Sequence, residues 1–346
     1  MNNLETIRYM GIKTNLLENI IPEIQRITPK DGIVLDIMAG SNAVSYALKP
    51  YFTVYTNDVQ EYSKVISDAV IVNQEENISN ITAKNDLEKY LQDNDNNHYY
   101  NYFEKTYSGT YFSQKQCQEI DSIRYAISKQ ENKNKQNLYL FALMGAMCKV
   151  QSTPGHFAQY MPANHSRIIP LQKMDLLNEF YSKCNAYSNL YFSKKNNKAF
   201  SFDFHKLLKE NICGKVDTIY LDSPYTQEQY SRFYHVLETV VKYDNPIVHF
   251  KAKYRENRFM SKFCYKGKVE EEFRSIFNYC NQTKTNLVVS YSNHGLITPE
   301  ILKKVACEYF NDVELKTINY KHSTQGKGTK KIVEILLICQ IEKEML

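Results

Sequence analysis

The feature that most constrains the fold is a short apolar run that ends abruptly in a polar tetrapeptide. Residues 216–221 read VDTIYL, and the β-branched and aliphatic side chains in this run are typical of a buried strand. The run stops at Asp222-Ser223-Pro224-Tyr225, because Pro224 cannot donate a sheet hydrogen bond and restricts Ser223 to extended backbone. Open α/β sheets bind ligands at the carboxyl ends of their strands. We therefore expect a parallel sheet with a ligand site after this strand.

The tetrapeptide suits a planar base with an exocyclic amine. The Asp222 carboxylate and the Ser223 carbonyl can accept the two amine hydrogens while the Tyr225 ring stacks on the base. The four residues resemble motif IV (Asp-Pro-Pro-Tyr) of the adenine-specific DNA methyltransferases, in the Dam-like family with the alpha order of motifs. By this resemblance Asp222, Ser223, Pro224 and Tyr225 form the catalytic motif. Serine replaces the first proline, which matters little because the chemistry uses the backbone carbonyl.

A second strand and turn, GIVLDIMAG, is typical of a nucleotide-type site. The strand has Asp36 near its end and runs into a glycine turn that opens a helix, and a small residue in such a turn lets a ligand approach the backbone. The segment resembles motif I of S-adenosylmethionine-dependent methyltransferases, Asp-x-Phe-x-Gly-x-Gly. The resemblance implies that Asp36, Ala39 and Gly40 bind the methyl donor.

Two positions depart from motif I. Met38 stands at the aromatic position, and Asn42 stands at the second glycine. Asparagine tolerates a positive φ better than other non-glycine residues, so we expect the turn to be kept. The dinucleotide fingerprint GxGxxG is absent, which disfavours a nicotinamide enzyme.

Three further segments extend the resemblance, and each has an ordinary alternative. Asp58 follows a second short strand and is placed to hold ribose hydroxyls, or else to cap the next helix. The segment RYMGIKTNLLENI resembles motif X, which implies that Tyr9 and Gly11 line the donor pocket and that Lys13 lies near the donor carboxylate; otherwise it is a plain amphipathic helix. Asp203, in KAFSFDFHKLL, resembles the motif III acid that accepts a hydrogen bond from the donor adenine, and would otherwise be a helix cap.

Two polar stretches are candidates for contacts with DNA. One is the loop STPGHFAQYMPANHSRI, whose amide and polar side chains are the types that read base edges. The other, HFKAKYRENRFMSKFCYKGK, is dense in cations that could neutralise phosphates and in rings, Tyr254 and Phe259, that could stack or wedge. A solvated basic loop is the alternative for the second stretch. The candidate residues are His156, Gln159, Arg167, Arg255, Arg258 and Lys262.

The alternation of strands and helices is lost between residues 73 and 197. The resemblance implies that this mainly α-helical insertion is a target-recognition domain, and that residues 1–72 and 198–346 form the catalytic domain. A helical insertion of unrelated purpose is the alternative. The predicted fold class is α/β, a Rossmann-like S-adenosylmethionine-dependent methyltransferase fold with a mostly parallel seven-stranded sheet. Apolar runs at 313–320 and 331–341 predict its terminal antiparallel hairpin.

The composition of the chain constrains its function less than the motifs do. A formal net charge of +5 in 346 residues does not itself indicate a nucleic-acid partner. The eight cysteines show no CxxC pair and no zinc spacing, so we expect reduced thiols and no metal. The pair formed by His235 and Glu238 is too small a set for a metal site, and an internal hydrogen bond is favoured. No apolar run reaches the length of a membrane span and no signal peptide opens the chain, so we expect a cytoplasmic protein.

The order of the segments favours methylation of the adenine N6 amine in double-stranded DNA, with S-adenosylmethionine as donor. Methylation of RNA adenine or of the cytosine N4 amine uses similar chemistry and stays open. A catalytically silent DNA-binding protein also stays open, because Met38 and Asn42 depart from the donor motif. The family often belongs to restriction–modification systems, so a restriction endonuclease is an expected partner. Neither the recognition sequence nor the oligomeric state follows from the residues, and a monomer is compatible with them.

Overall fold

A computed structural model describes residues 4–162, 164–318 and 333–341. The strands are β1 (Ile33–Asp36), β2 (Thr53–Asn57), β3 (Lys198–Phe200), β4 (Thr218–Leu221), β5 (Val248–His249), β6 (Tyr254–Arg255), β7 (Asn286–Ser292), β8 (Asp312–Ile318) and β9 (Glu334–Gln340). The α-helices are α1 (Leu17–Ile27), α2 (Ala43–Leu48), α3 (Glu61–Ser67), α4 (Asn80–Asn97), α5 (Tyr102–Tyr107), α6 (Gln114–Ser128), α7 (Lys133–Val150), α8 (Ile168–Lys173), α9 (Leu176–Ala186), α10 (Phe204–Lys209), α11 (Tyr230–Phe233), α12 (His235–Lys242), α13 (Val269–Thr283) and α14 (Pro299–Ala306).

Seven of these strands form one sheet in the order β3-β2-β1-β4-β7-β9-β8. The first five are parallel, and β9 runs antiparallel to both β7 and β8. The predicted mostly parallel sheet with a terminal antiparallel hairpin is therefore confirmed. The glycine- and lysine-rich loop between the last two strands lies outside the described residues. The strands β5 and β6 form a separate two-stranded hairpin, where the sequence had predicted only a basic loop.

The central strands are apolar on both faces, as buried parallel strands are expected to be. Alternate side chains enter two hydrophobic clusters, one on each side of the sheet. Val34, Tyr220 and Val288 point to the cluster formed with α1 and α7, whereas Ile219 and Val289 point to the cluster formed with α13 and α14. The sheet is thus fixed between two helical layers, and its carboxyl edge is left to form a site.

The insertion is helical, as predicted, and consists of α4 to α9. Its helices share a continuous hydrophobic cluster with α1 and with one face of the sheet. Lys49 lies near the two ends of the insertion, because its buried ammonium donates to the carbonyls of Val70, Asn73 and Tyr191. Burial lowers the pKa of Lys49 to about 8. This network joins the insertion to the sheet domain, while the recognition role of the insertion stays a prediction.

Two further expectations concern the whole chain. All eight cysteines are free thiols, and only Cys307 is exposed. In the part of the chain that the structure describes, none of the helices has both the length and the apolar character needed to cross a bilayer.

Candidate active site

The carboxyl ends of β1, β2 and β4 border a cavity of about 320 Å³, a volume suited to a cofactor or small ligand. Its lining comes from segments distant in sequence, from Tyr9 to Glu272. The predicted site residues that line it are Tyr9, Gly11, Lys13, Asp36, Ala39, Gly40, Asp58, Asp203, Asp222 and Pro224. Ser223 is buried beside them, and Tyr225 is half-buried, with its ring edge against Tyr291. The residues are brought together as expected, and their individual roles stay predictions.

The glycine turn after β1 is closed by an aromatic ring from the N-terminal segment. Gly40 has φ +50°, and a Cβ atom built on it would lie 2.9 Å from the Tyr9 hydroxyl and 3.0 Å from two carbons of the same ring. Tyr9 also stacks on Tyr234, with 4.6 Å between ring centroids. Only a residue without a side chain fits between this ring and the turn. The motif X segment therefore packs directly on the motif I turn.

Asn42 keeps the turn in the conformation that a glycine would adopt, as expected. Its φ is +62°, in the left-handed region. The amide nitrogen donates to the Ser63 carbonyl at 3.2 Å, and the amide oxygen accepts from the Ser67 hydroxyl at 2.7 Å. The departure from the motif thus adds two buried hydrogen bonds between the turn and α3, which a glycine could not make.

Substituting Asn42 tests this dual role through stability. Asn42→Ala is expected to lower the free energy of unfolding by about 2–3 kcal/mol, because it removes two buried hydrogen bonds and leaves alanine in left-handed backbone. Asn42→Gly removes the same bonds without the backbone strain, so a smaller loss of about 1–2 kcal/mol is expected. Urea unfolding measures both values. Equal losses for the two variants would contradict the backbone part of the explanation.

Two carboxylates flank the turn, that of the buried Asp36 and that of the partly buried Asp58. Asp36 accepts a hydrogen bond from the Ser45 hydroxyl at 2.5 Å through Oδ2, and its Oδ1 has no partner among the described residues. Burial raises the pKa of Asp36 to about 7. Asp58 accepts from the backbone N–H groups of Gly40 and Gln60, and burial raises its pKa to about 6 despite these bonds. The bond to Gln60 spans two residues just before α3, whose N-cap is Gln60 and has no side-chain cap, so Asp58 lines the cavity without capping the helix.

Asp203 is the predicted helix cap and also lines the cavity, while its contact with the donor adenine stays a prediction. One carboxylate oxygen caps α10 by accepting from the His205 backbone N–H at 2.9 Å, and the residue lines the cavity between Phe202 and Phe204. Beyond it, the His205 ring lies 2.8 Å from the buried carboxylate of Glu272. This end of the cavity is therefore aromatic with a carboxylate acceptor, a combination suited to a purine.

Lys13 forms an ion pair with Asp222, the predicted catalytic acid. Its ammonium lies 3.0 Å from Asp222 Oδ1, 3.7 Å from Glu334 Oε1 and 5.6 Å from the centre of the Tyr225 ring. Burial alone would lower the pKa of Lys13, but the two carboxylates outweigh it and raise the pKa above its ordinary value. Burial raises the pKa of Asp222, and the Lys13 charge opposes that rise.

Glu334 was missed by the sequence reasoning, although the sequence contains a signal. It is the one charged residue in the apolar run IVEILLICQI, in which a carboxylate is out of place unless it is paired. Only 2% of Glu334 is exposed. Tyr230 was also missed: it lines the cavity and its hydroxyl would lie 3.2 Å from a Cβ atom on Gly11.

A family model described as D12 class N6 adenine-specific DNA methyltransferase matches residues 9–304. The chain belongs to this family. The match includes all the residues that line the cavity, whereas Glu334 and the last strand lie beyond it.

Named relatives of the chain are similar along most of its length. Modification methylase LlaI of Lactococcus lactis subsp. lactis is 30% identical over 96% of this chain and 54% of its own. Modification methylase StsI of Streptococcus sanguinis is 29% identical over 96% of this chain and 52% of its own. Type II methyltransferase M.NlaIII of Neisseria lactamica is 26% identical over 93% of both chains. The chain thus spans about half the length of LlaI and StsI, and nearly all of M.NlaIII.

In this D12 class chain, the three predicted phosphate contacts have different surroundings. Arg255 is bound through two hydrogen bonds to Asp244, at 2.8 and 2.6 Å, so its charge is already balanced within the protein. The Arg258 guanidinium lies 4.9 Å from the centre of the Tyr254 ring and faces no carboxylate in the described chain. Lys262 is exposed and lines the cavity. Arg258 and Lys262 are therefore the better candidates of the three.

The loop that contains the other predicted DNA contacts, His156, Gln159 and Arg167, is hydrogen-bonded to the β5–β6 hairpin. The Tyr254 hydroxyl donates to the Ala158 carbonyl at 2.6 Å, and the Tyr254 side chain is partly buried. Gln159 and Arg167 are exposed, whereas the His156 ring packs on Phe233. The structure therefore brings together the two stretches that the sequence had predicted to contact DNA.

The exposed ring of the hairpin is Phe250, which the sequence reasoning had not selected. It lies at the tip between His249 and Lys251 and is 81% exposed.

The internal hydrogen bond predicted for His235 is confirmed, because its Nε2 lies 3.1 Å from the Phe157 carbonyl and the side chain is buried. Burial lowers the pKa of His235 to about 3, so the ring is neutral.

Proposed function

We propose that this chain transfers a methyl group from S-adenosylmethionine to the exocyclic N6 amine of an adenine in double-stranded DNA. The observation that carries the proposal is that Asp222 and Pro224 line the same cavity as Asp36, Asp58 and Asp203. The catalytic motif and the donor motifs are thus within reach of one small molecule. Membership of an adenine-specific family supports the same substrate. A modification role is supported by the names of the relatives, and a restriction endonuclease as partner stays a prediction.

The cavity residues fit a cationic nucleoside donor. S-adenosylmethionine supplies a methyl group activated by a positively charged sulfur. The buried Asp36 and the partly buried Asp58 lie at the ends of two neighbouring strands, and Asp36 Oδ1 has no hydrogen-bond partner among the described residues. Placing a cation or a hydroxyl donor near these groups compensates the cost of their burial. Asp203 and the two phenylalanine rings beside it would hold the adenine of the donor.

The catalytic motif would act on the amine by accepting hydrogen bonds and by excluding water. Asp222 and the Ser223 carbonyl would accept the amine hydrogens, favour a pyramidal nitrogen and stabilise the positive charge that develops on it. Alignment of the amine with the methyl group supplies a further share of the rate. The N6 atom is out of reach in a stacked duplex, so the base must leave the helix, and stacking on Tyr225 offsets part of that cost.

The proposed DNA-binding face consists of the 156–167 loop and the β5–β6 hairpin. Arg258 and Lys262 would contact phosphates, while His156, Gln159 and Arg167 would lie toward the base edges. Phe250 has the exposure and the cationic neighbours of a side chain that stacks on or wedges between bases. The role proposed for Arg255 is weaker because of its pair with Asp244.

Donor affinity is expected to rise with pH from about 5.5 to about 7.5. The pKa of Asp36 is raised to about 7 and that of Asp58 to about 6. A bound cation favours the ionised carboxylates, so binding releases protons and tightens as the pH rises through these values. The expected gain is on the order of tenfold, measured by isothermal titration calorimetry.

S-adenosylhomocysteine is the matched control for this pH effect. It lacks the transferable methyl group and therefore the sulfonium charge, and keeps the rest of the donor, so a shallower pH dependence is expected. Equal slopes for the two ligands, or an affinity that falls as the pH rises, would contradict the proposed charge complementarity.

Transfer of a tritium-labelled methyl group tests the function itself. Duplex DNA and structured RNA of matched length are incubated with the chain and the labelled donor, and the nucleosides are separated. Label in N6-methyladenine from DNA supports the proposal. Label in cytosine, or in RNA alone, would replace the proposal by one of the two alternative methylations, and donor binding that is absent with and without DNA would favour a catalytically silent DNA-binding protein.

A further inference from the structure

The cluster of Lys13, Asp222 and Glu334 contains a conflict that the proposed reaction must resolve. Asp222 is required to accept a hydrogen from the target amine, but the Lys13 ammonium lies 3.0 Å from its Oδ1, which leaves only Oδ2 open to the amine. The ammonium is also a positive charge beside the atom on which the reaction develops positive charge. At such distances in a buried site, like charges repel strongly. The ammonium therefore opposes catalysis for as long as it stays on Asp222.

Glu334 offers the ammonium a second position. Its Oε1 is 3.7 Å from Lys13 Nζ, only 0.7 Å further than Asp222 Oδ1. The other oxygen, Oε2, is buried and has no hydrogen-bond partner among the described residues. An unpaired buried carboxylate oxygen is costly, so a donor that could reach it would stabilise the site. Lys13 has the flexible stem and the rotatable donors needed to move between the two acids.

We propose that Glu334 is a positioning residue that takes the Lys13 ammonium from Asp222 when the target amine binds. The inference rests on the proposed methyl transfer and concerns a residue outside the recognisable motifs. With Lys13 on Glu334, both oxygens of Asp222 are free to accept from the amine, and the cation is withdrawn from the reacting nitrogen. The net charge of the three ionised side chains is −1 in either position, so the transfer changes the position of the positive charge and not its amount.

The protonation state of Glu334 sets whether the transfer of Lys13 is favourable. The ionisable groups near Glu334 in the described chain are Lys13, Asp222, Tyr220 and Tyr225. Burial raises the pKa of Glu334 to about 7, and the Lys13 charge opposes the rise. Above that pH the ionised carboxylate holds Lys13, and below it the neutral acid leaves Lys13 on Asp222. The single-turnover rate is therefore expected to rise with pH through about 7.

Glu334→Gln removes the charge and keeps the shape. The single-turnover rate of methyl transfer to duplex DNA is expected to fall roughly 10- to 100-fold at pH 8, with donor affinity within threefold of the unsubstituted chain. At low pH the two rates are expected to converge, because the unsubstituted Glu334 is then also neutral. Glu334→Asp is expected to recover part of the rate and to keep the rise with pH. Glu314→Gln, on the neighbouring strand β8, is the matched control and is expected to leave the rate unchanged.

The outcomes separate this inference from the proposed function. If the unsubstituted chain transfers no methyl group to DNA, the proposed function fails and this inference fails with it. If the chain is active and Glu334→Gln keeps its rate, or loses rate by the same factor at every pH, only the inference is overturned. The pH profile of the unsubstituted chain is a test that needs no variant: a single-turnover rate that stays flat from pH 6 to pH 8 would overturn the transfer of Lys13.

Discussion

Asp222→Asn is expected to reduce methyl transfer to duplex DNA by roughly 10²- to 10³-fold, while S-adenosylmethionine binds within a few-fold of its original affinity. Asparagine keeps the shape of the side chain but loses the charge that stabilises the developing positive nitrogen. It also cannot hold an ionic bond to Lys13, which would remain paired with Glu334. The loss should therefore fall on the rate of the chemical step and not on donor binding, as single-turnover kinetics and calorimetry can separately measure.

The matched control is Asp312→Asn. Asp312 is an exposed carboxylate at the start of β8, on the same sheet and away from the cavity. Its substitution is expected to leave both the rate and the donor affinity unchanged. An Asp222→Asn variant that keeps more than about a tenth of the rate would contradict the assignment of this residue to the transition state.

Gly40→Ala is expected to weaken S-adenosylmethionine binding by roughly 10- to 100-fold. The new Cβ atom would lie about 3 Å from three atoms of the Tyr9 ring, so the ring must move or the turn must open. The Tyr9 ring and the turn at Gly40 both line the cavity. The left-handed backbone of Gly40 also adds strain for any residue with a Cβ atom. Calorimetric titration with the donor measures the loss.

Gly214→Ala separates the steric contact from the backbone strain. Gly214 has φ +67°, close to the left-handed value of Gly40, but a Cβ atom there would meet nothing within 4 Å. Gly214→Ala is expected to lower the free energy of unfolding without changing the affinity for the donor. If both glycine variants bind the donor as tightly as the original chain, the contact between Tyr9 and Gly40 has no part in forming the donor site.

The patterns that could be predicted from the sequence are those in which local and distant constraints agree. The apolar run before Asp222 has to be a central strand, and the glycine turn after Asp36 has to meet a helix, wherever these elements lie in the chain. The departure at Asn42 was correctly expected to keep the turn, because the left-handed preference of asparagine is local. Its two bonds to α3 could not be foreseen, because they depend on how that helix packs.

The features that escaped prediction depend on contacts between distant segments. The β5–β6 hairpin has only two residues in each strand, too few to give an alternating pattern. The hydrogen bond from the Tyr254 hydroxyl to the Ala158 carbonyl and the high exposure of Phe250 could not be foreseen, because both depend on how the hairpin packs on the rest of the chain. Glu334 is more than 300 residues from Lys13, so its position beside the ammonium follows only from the order of the strands.

The position of bound S-adenosylhomocysteine relative to Asp222 tests the central claim most directly. A crystal structure of the chain with this product and an adenine-containing duplex is predicted to place the sulfur in the cavity between Asp36 and Asp222. The N6 atom of an extruded adenine should then lie within a methyl group's reach of the sulfur and within hydrogen-bond distance of the Asp222 carboxylate. A product bound elsewhere, or an Asp222 side chain that contacts neither the base nor the space beside the sulfur, would contradict the account.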